Sequence, residues 1–385
     1  MSTGYNSKST VKPGALKRLK EPTLNCVGSF SCAVSLLLSL VLARLQAPLR
    51  ARLRDEVGMF CIRNQQVEKI MVSKKANSWL LCSLLLIFAV SDAALSQTDK
   101  NKKDKKEKEY TGAPVLWAEP TDIASRNLLL GAGGESMKPD LKQITFIEQK
   151  EGGYSTKYRV KDASGNEWVA KLGKEAQPDT AANRLLWALG YETEIAYLVP
   201  HLKIEGKGEF DNVRLEARPA DVKRTGNWQW ENNPFKGTPE FNGLKIMMVM
   251  INNWDMKDDN NEILASRTAS DNDKLRYIIS DLGGSFGKTG GIISRSRNKP
   301  SDYVKADFID KVKGDNIDFN YGGKNKKLFE NLTVTDARWL NERLAKLSEE
   351  QIKDAFRAAN YSPEEVEQLS SAFRARMDAL ANVAK

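Results

Sequence analysis

Two hydrophobic periodicities in succession restrict the fold of this 385-residue chain more than any other feature of its sequence. Between residues 141 and 175, apolar side chains alternate with polar ones in three short runs separated by Gly-rich breaks, which is typical of antiparallel strands and hairpin turns. From Pro239 onward, apolar side chains recur mostly at helical spacing. A small β-rich half followed by a larger helical half predicts an α+β fold with two lobes. The predicted strands are 144–149, 157–162 and 167–172.

Local start signals refine these two halves. A helix is predicted to follow the third strand, because Pro178 suits the first turn of a helix. Near the C-terminus, Ser348 and Ser362 are predicted to cap the last two helices. We place the β-rich lobe at 140–225 and the helical lobe at 226–385.

Composition and charge exclude several classes of protein. With 41% hydrophobic and 28% charged residues, the chain is neither disordered nor collagen-like. Most of its net charge of +9 belongs to the first 96 residues, which carry 13 basic and 5 acidic side chains, whereas residues 97–385 carry 46 and 45. The near-neutral folded part therefore gives no support for a nucleic-acid partner. All four cysteines precede residue 83 and His201 is the only histidine, so a thiolate or histidine-built metal site is not expected.

Residues 71–96 are predicted to be a secretory signal peptide. Two lysines precede an uncharged run of 11 residues, 80–90, which is too short to span a bilayer. Small residues occupy the cleavage positions just before Gln97. A charged linker and extension, 97–139, then leads to the folded part. We therefore expect an exported protein, periplasmic or extracellular.

Residues 1–70 have two interpretations. An uncharged run at 26–43, followed by four arginines, has the length of a transmembrane anchor with a positive inner flank. Because a second export signal directly behind an anchor would be redundant, we favour synthesis that starts at Met71, with 1–70 as upstream sequence. The protein is expected at a membrane, anchored near its N-terminus, only if 26–43 are a true anchor.

The first polar cluster that suggests chemistry is a Gly-rich break followed by a lysine on the third predicted strand. Backbone amides of a turn such as Gly152-Gly153 can approach phosphates closely, because no Cβ intervenes. Val169 and Lys171 are expected on one face of the strand, with the lysine head in the cleft rather than in the core. An apolar floor beside an ammonium suits an adenine and its phosphates. A Gly-Gly turn is, however, more often only a hairpin.

The second cluster follows a predicted buried helix. Phosphoryl transfer needs a carboxylate that orients the attacking hydroxyl, a cation near the transferred group and an oxygen ligand for magnesium. Asp255, Lys257 and Asn260 supply these three in the spacing Asp-x-Lys-x-x-Asn. The alternative is a calcium-binding loop that also uses Asp258 and Asp259, although the glycine and the terminal glutamate of an EF-hand are absent.

The third cluster joins an apolar strand to glycines. Ile278 and Ile279 lead into Asp281, and Gly283 and Gly284 free the backbone after it. This pattern places a metal-binding aspartate at a strand end that faces a phosphate. A glycine-rich hairpin tip with an incidental aspartate is the alternative.

Taken in order, the three clusters resemble the core motifs of the protein-kinase-like superfamily: nucleotide loop, strand lysine, catalytic loop and metal-binding aspartate. The segment from Asp281 to Gly287 is most similar to the Asp-x-Gly-x-x-Phe-Gly of atypical members, such as phosphoinositide kinases, HipA-type kinases and secreted kinases of the Golgi casein kinase type. The resemblance covers about 140–385 and implies a two-lobed, protein-kinase-like α+β fold. No Gly-x-Gly-x-x-Gly loop is present and no Ala-Pro-Glu follows Gly287, so the substrate recognition of ordinary protein kinases is not expected.

The resemblance also implies a role for each matching residue. Asp255 and Lys257 would be catalytic, Asn260 and Asp281 would hold the metal, and Gly152, Gly153, Ser155, Val169, Lys171 and Asp179 would bind the nucleotide. Asp179 is the first choice for the acid that pairs with Lys171, ahead of Glu175, Glu192 and Glu194.

The implied activity is ATP-dependent phosphoryl transfer with Mg²⁺ or Mn²⁺. The acceptor stays open between protein, lipid, sugar and small molecule, and GTP stays open as the donor. The alternative is a secreted pseudokinase or ligand-binding module that keeps the fold without turnover.

Overall fold

A computed structural model describes residues 110, 112–152, 155–267, 274–291 and 294–385. All of them belong to one compact unit. The predicted upstream segment, the signal peptide, and residues 97–109 and 111 of the predicted linker and extension lie outside the described residues. None of the described helices combines the length and the apolar character that a membrane crossing requires.

The described part of the chain contains eleven strands and six α-helices. The strands are β1 (Ala113–Val115), β2 (Thr145–Lys150), β3 (Lys157–Lys161), β4 (Glu167–Lys171), β5 (Ala196–Ile204), β6 (Gly208–Ala217), β7 (Val222–Gly226), β8 (Asn261–Ser266), β9 (Lys274–Ile279), β10 (Ile309–Lys313) and β11 (Asn316–Phe319). The helices are α1 (Ala176–Ala188), α2 (Pro239–Met250), α3 (Pro300–Lys305), α4 (Val334–Leu344), α5 (Glu349–Arg357) and α6 (Pro363–Val383).

The first lobe is an antiparallel five-stranded sheet in the order β2-β3-β4-β6-β5, with α1 packed on it. The alternation in the sequence predicts β2, β3 and β4 to within one residue at each end. The predicted turn between β3 and β4 is also present. There Asp162 accepts a hydrogen bond from the backbone N–H of Asn166 at 2.9 Å, and Gly165 has a φ of +87° that favours glycine.

Alternation along β4 decides which side chains enter the core of this lobe. Trp168 and Ala170 are buried among apolar side chains of the sheet. Because successive side chains of a strand point to opposite faces, Val169 and Lys171 lie on the other face. That face is the one turned toward the second lobe, since Lys171 contacts a residue that follows β9.

The second lobe is built around a larger apolar core that collects α2, α4, α5 and α6. Helix α2 begins behind Thr238, whose hydroxyl accepts a hydrogen bond from the backbone N–H of Phe241 at 3.3 Å. The predicted caps Ser348 and Ser362 are confirmed, and each closes a reciprocal capping box at the start of its helix. The α+β class and the two-lobed layout predicted from the sequence are those of the structure.

The prediction of mostly helical structure after Pro239 is wrong for 261–319, which contains four strands. β8 and β9 form a hairpin and join β7 and β1 in a four-stranded sheet, in which β1 runs parallel to β9. This sheet positions two candidate loops. β8 begins directly after Asn260, β9 ends two residues before Asp281, and the register pairs Asn261 with Ile279.

Candidate active site

Lys171, at the end of β4, is the centre of the candidate site. Its ammonium lies 3.0 Å from Oδ2 of Asp179 and 2.8 Å from Oδ1 of Asp281. Asp179 lies in the first turn of α1 and Asp281 follows β9, so three elements converge here. The lysine head lies between the two lobes, where only 3% of the side chain is exposed. The two carboxylates cover it.

Asp179 is the principal acid of this lysine, which was the first choice on sequence grounds. It is fully buried, and its Oδ1 accepts a hydrogen bond from the backbone N–H of Leu282 at 3.3 Å. Glu175 lies farther from the ammonium, at 3.7 Å. The two remaining candidates pair elsewhere, Glu192 with Arg276 and Glu194 with Arg224.

Burial and ion pairing act in opposite directions on these groups. Burial lowers the pKa of Lys171, but the charges of Asp179 and Asp281 outweigh it, so the pKa is raised above its ordinary value. Burial raises the pKa of Asp281, but Lys171 and the backbone N–H of Gly283, at 3.1 Å, bring it below its ordinary value. The lysine is therefore charged and Asp281 ionised at neutral pH. Such a pair can receive phosphates and a divalent cation.

A second buried cation faces Asp179. Arg214 on β6 is the register partner of Lys171, and its Nη1 lies 3.6 Å from Asp179 Oδ2 and 2.6 Å from Glu216 Oε2. No motif predicts this pair. The only signal in the sequence is the alternation along β6, which places Arg214 and Glu216 on one face. Only the β4–β6 register shows that this face lies beside Lys171.

The turn after Asp281 has no room for side chains. A Cβ at Gly283 would lie 2.6 Å from Cβ of Glu175, and a Cβ at Gly284 would lie 3.1 Å from Cβ of Asp255. Glycine at these two positions lets the turn pack against the start of α1 on one side and the loop after α2 on the other. The second and third predicted clusters are therefore in contact.

Asp255 lies on the loop between α2 and β8, between two ammonium groups. Its Oδ2 is 3.2 Å from Nζ of Lys257, and its Oδ1 is 2.7 Å from Nζ of Lys324. Nδ2 of Asn260 donates to the backbone carbonyl of Asp255 at 2.6 Å, which leaves the amide oxygen as the atom for a cation. Lys324 belongs to a Gly-Gly-Lys turn of the second lobe, and sequence motifs did not identify it.

The calcium alternative does not fit this loop. Both oxygens of Asp255 face ammonium groups, and Oδ1 of Asp258 accepts a hydrogen bond from the backbone N–H of Trp230 at 3.0 Å. Among the described residues, no three or more His, Cys, Asp or Glu side chains are grouped to hold a metal ion.

The side-chain oxygens of Asn260 and Asp281 are candidate ligands for Mg²⁺ rather than Ca²⁺. The backbone N–H of Asp281 donates to the carbonyl of Asn260 at 3.3 Å, so the backbones of the two candidate ligands are in contact. Mg²⁺ is commonly held by one or two protein groups together with waters and substrate phosphates. Asn260 and Asp281 therefore fit a cation that arrives with a nucleotide.

The Gly-rich loop is described in part. Gly152 has a φ of +90°, and Gly153 lies outside the described residues. The hydroxyl of Ser155 donates a hydrogen bond to Glu175, which also pairs with Arg297 from the segment after Gly287. Glu175 therefore links the end of the Gly-rich loop to two other parts of the site. No motif in the sequence identifies Arg297.

A cavity of about 820 Å³ opens where the two lobes join. Val169 of β4 lines it together with Ala217, Pro219 and Ala220 of the connection from β6 to β7. Ligand cavities in proteins typically measure about 300–1,000 Å³. The predicted apolar neighbour of Lys171 thus borders a cavity of this size, whose lining is mostly polar and does not include Lys171 itself.

Glu194, near this cavity, gives the protein a testable pH dependence. Burial, together with the charge of Glu216, raises the pKa of Glu194 from 4.5 to about 8. The native state then keeps a proton that the unfolded state releases, so the free energy of unfolding should fall as pH rises between these two values. Glu194→Gln should remove most of this fall, as measured by urea unfolding across that range. Parallel pH curves for wild type and variant would contradict the assignment, and Glu192→Gln is the matched control.

Comparisons with known proteins leave the family of this chain open. No family model matches it, and no curated protein matches it. Among solved structures, it is similar to a Helicobacter pylori proinflammatory kinase, CtkA, with 10% sequence identity and a TM-score of 0.41. The match covers 64% of this chain and 96% of the kinase chain.

Proposed function

We propose that this protein is an ATP-dependent kinase that transfers the γ-phosphoryl group to an acceptor hydroxyl with Mg²⁺ or Mn²⁺. One observation carries the proposal. Lys171 joins a helix carboxylate, Asp179, to a carboxylate after a strand, Asp281, while the loop of Asp255 packs against Gly284 beside it. In protein kinases, phosphoryl transfer needs a strand lysine paired with a helix carboxylate and a metal-binding aspartate in place beside it. The Asp-x-Gly-x-x-Phe-Gly pattern further supports an atypical branch of the kinase-like superfamily.

The nucleotide would bind along the face of β4. The base would occupy the cavity beside Val169, and the ammonium of Lys171 would offset the charge of the phosphates. Asn260 and Asp281 would hold the metal, which when bound supplies charge stabilisation to the phosphate oxygens. Because Lys171 is already held by two carboxylates, it needs little reorganisation to take up this role.

Asp255 would act on the acceptor. One of its carboxylate oxygens would accept the proton of the acceptor hydroxyl as the hydroxyl oxygen bonds to the γ-phosphorus and the bond to the bridging β–γ oxygen breaks. Lys257, now 3.2 Å from Asp255, would turn toward the transferred group and offset its charge. Lys324 would keep the other carboxylate oxygen in place. The contacts of Asp255 with Lys257 and Lys324 support these proposed roles.

A thermal-shift experiment tests whether the site binds nucleotide. ATP with Mg²⁺ or Mn²⁺ should raise the melting temperature, because a ligand at about 100 times its Kd stabilises the native state by about 2.7 kcal/mol. Adenosine should give a smaller shift than ATP, since it lacks the phosphates that Lys171 and Asp281 would bind. GTP, which has the same phosphates but a different base, is the matched control for recognition of adenine.

The same samples separate an enzyme from a module without turnover. ATP hydrolysis or autophosphorylation is measured wherever a nucleotide shift is found. A shift without turnover under any metal would replace the kinase by a pseudokinase. No shift with ATP, GTP or either metal would remove the nucleotide-binding proposal altogether.

A further inference from the structure

Basic residues are concentrated on the two segments that flank Asp255. The folded part of the chain is nearly neutral, with 46 basic and 45 acidic side chains in 97–385. In contrast, 282–301, between Asp281 and Asp302, contains four basic and no acidic residues, and 319–329, between Asp318 and Glu330, contains three basic and no acidic residues. A local excess of this kind in a neutral protein marks a surface that attracts an anion.

The structure brings these two segments together at the loop of Asp255. The backbone N–H of Gly322 donates to the hydroxyl of Thr289 at 3.1 Å and connects one segment to the other. The backbone N–H of Lys324 donates to the carbonyl of Trp254 at 2.9 Å. Both segments therefore border the position at which an acceptor hydroxyl would approach Asp255.

Several of these cations are available to a ligand. Arg295 stacks on the ring of Trp254 at 4.2 Å and has no carboxylate partner among the described residues. Lys326 and Lys327 are exposed, whereas Lys324 beside them is held by Asp255. Other cations nearby are already neutralised, since Arg297 pairs with Glu175 and Lys299 with Asp302.

We propose that the acceptor is an acidic peptide, in which carboxylates flank the serine or threonine that is phosphorylated. This inference rests on the proposed kinase function, because it places the acceptor over Asp255. A single phosphate group is bound by donors that converge on one point. Here Arg295, Lys326 and Lys327 come from two segments that both border the loop of Asp255, which suits several separate charges along an extended chain.

Peptide phosphorylation tests this directly. Three peptides differ only in whether the residues that flank the serine are glutamate, glutamine or arginine. At low salt, kcat/KM for the glutamate peptide should exceed that for the glutamine peptide about tenfold, as several exposed charge pairs together would give. The preference should shrink at high salt, because exposed charges are screened. The arginine peptide should be the poorest substrate.

Charge reversal identifies the residues responsible. In Arg295→Glu and in Lys326→Glu/Lys327→Glu, the preference should move from the glutamate toward the arginine peptide, chiefly through KM. Lys346→Glu makes the same kind of charge change at an exposed lysine after α4 and should keep the wild-type preference. The thermal shift with ATP is measured on every variant, so that loss of nucleotide binding is recognised.

The outcomes separate this inference from the function on which it rests. If the wild type hydrolyses ATP but phosphorylates the glutamine peptide with the same kcat/KM as the glutamate peptide, the acidic-peptide inference is wrong and the kinase proposal stands. Transfer to a phosphorylated sugar in preference to all three peptides would also overturn it. If ATP gives neither a thermal shift nor hydrolysis, the kinase proposal fails and this inference fails with it.

Discussion

Asp255→Asn should lower turnover by about 10²–10⁴-fold, the usual effect of losing a general base, and leave the thermal shift with ATP and Mg²⁺ nearly unchanged. Asn has almost the same shape, but its amide cannot take the proton of the acceptor hydroxyl. Asp255 is separated from the proposed phosphate site by Gly284, so the binding of ATP in the ground state should not depend on its carboxylate. ATP hydrolysis or autophosphorylation, followed with a thermal-shift titration, measures both effects.

Asp281→Asn should behave differently, which makes the comparison decisive. Asp281 contacts Lys171 at 2.8 Å and is the proposed metal ligand, so its loss should weaken metal-dependent nucleotide binding as well as turnover. Asp259→Asn is the control, because Asp259 is exposed on the same loop as Asp255. If Asp255→Asn keeps the same turnover as the control Asp259→Asn and the wild type, Asp255 is not the catalytic base.

Lys171→Met should abolish the thermal shift with ATP and also lower the free energy of unfolding by about 3–5 kcal/mol, the usual effect of breaking a buried ion pair. Methionine keeps the apolar stem but removes the charge that lies 3.0 Å from the fully buried Asp179. Arg214 then remains 3.6 Å from that carboxylate and offsets its charge only in part. Urea unfolding of wild type and variant measures the difference.

Two further variants establish the cause of this destabilisation. Lys174→Met changes an exposed lysine three residues later and should leave the free energy of unfolding within about 0.5 kcal/mol of wild type. Lys171→Met combined with Asp179→Asn should be less destabilised than the sum of the two single variants, because removing both charges leaves neither unpaired. Additive effects would show that the Lys171–Asp179 pair contributes nothing to stability.

Much of the local structure was predictable from the sequence. The alternation between 141 and 175 identifies β2, β3 and β4, and the caps at Ser348 and Ser362 identify the last two helices. Each of these signals depends on neighbours within a few residues, namely the two-residue repeat of a strand and the free N–H groups of a helix start. The spacing of Asp255, Lys257 and Asn260 is local in the same sense.

The contacts that make these residues a site were not predictable in the same way. Lys171 and Asp281 are 110 residues apart, and only the packing of the two lobes shows that the lysine is buried between two carboxylates. The pairing of β1 with β9 joins residues even farther apart, since Ala113 pairs with Lys274, and Lys324 reaches Asp255 from a turn that no motif marks.

The sequence by itself determined the three strands between 141 and 175 and the starts of the last two helices, because hydrophobic periodicity and capping act over a few positions. The tertiary structure alone decided which of those charges meet, since strand register and lobe packing join segments that share no local interaction.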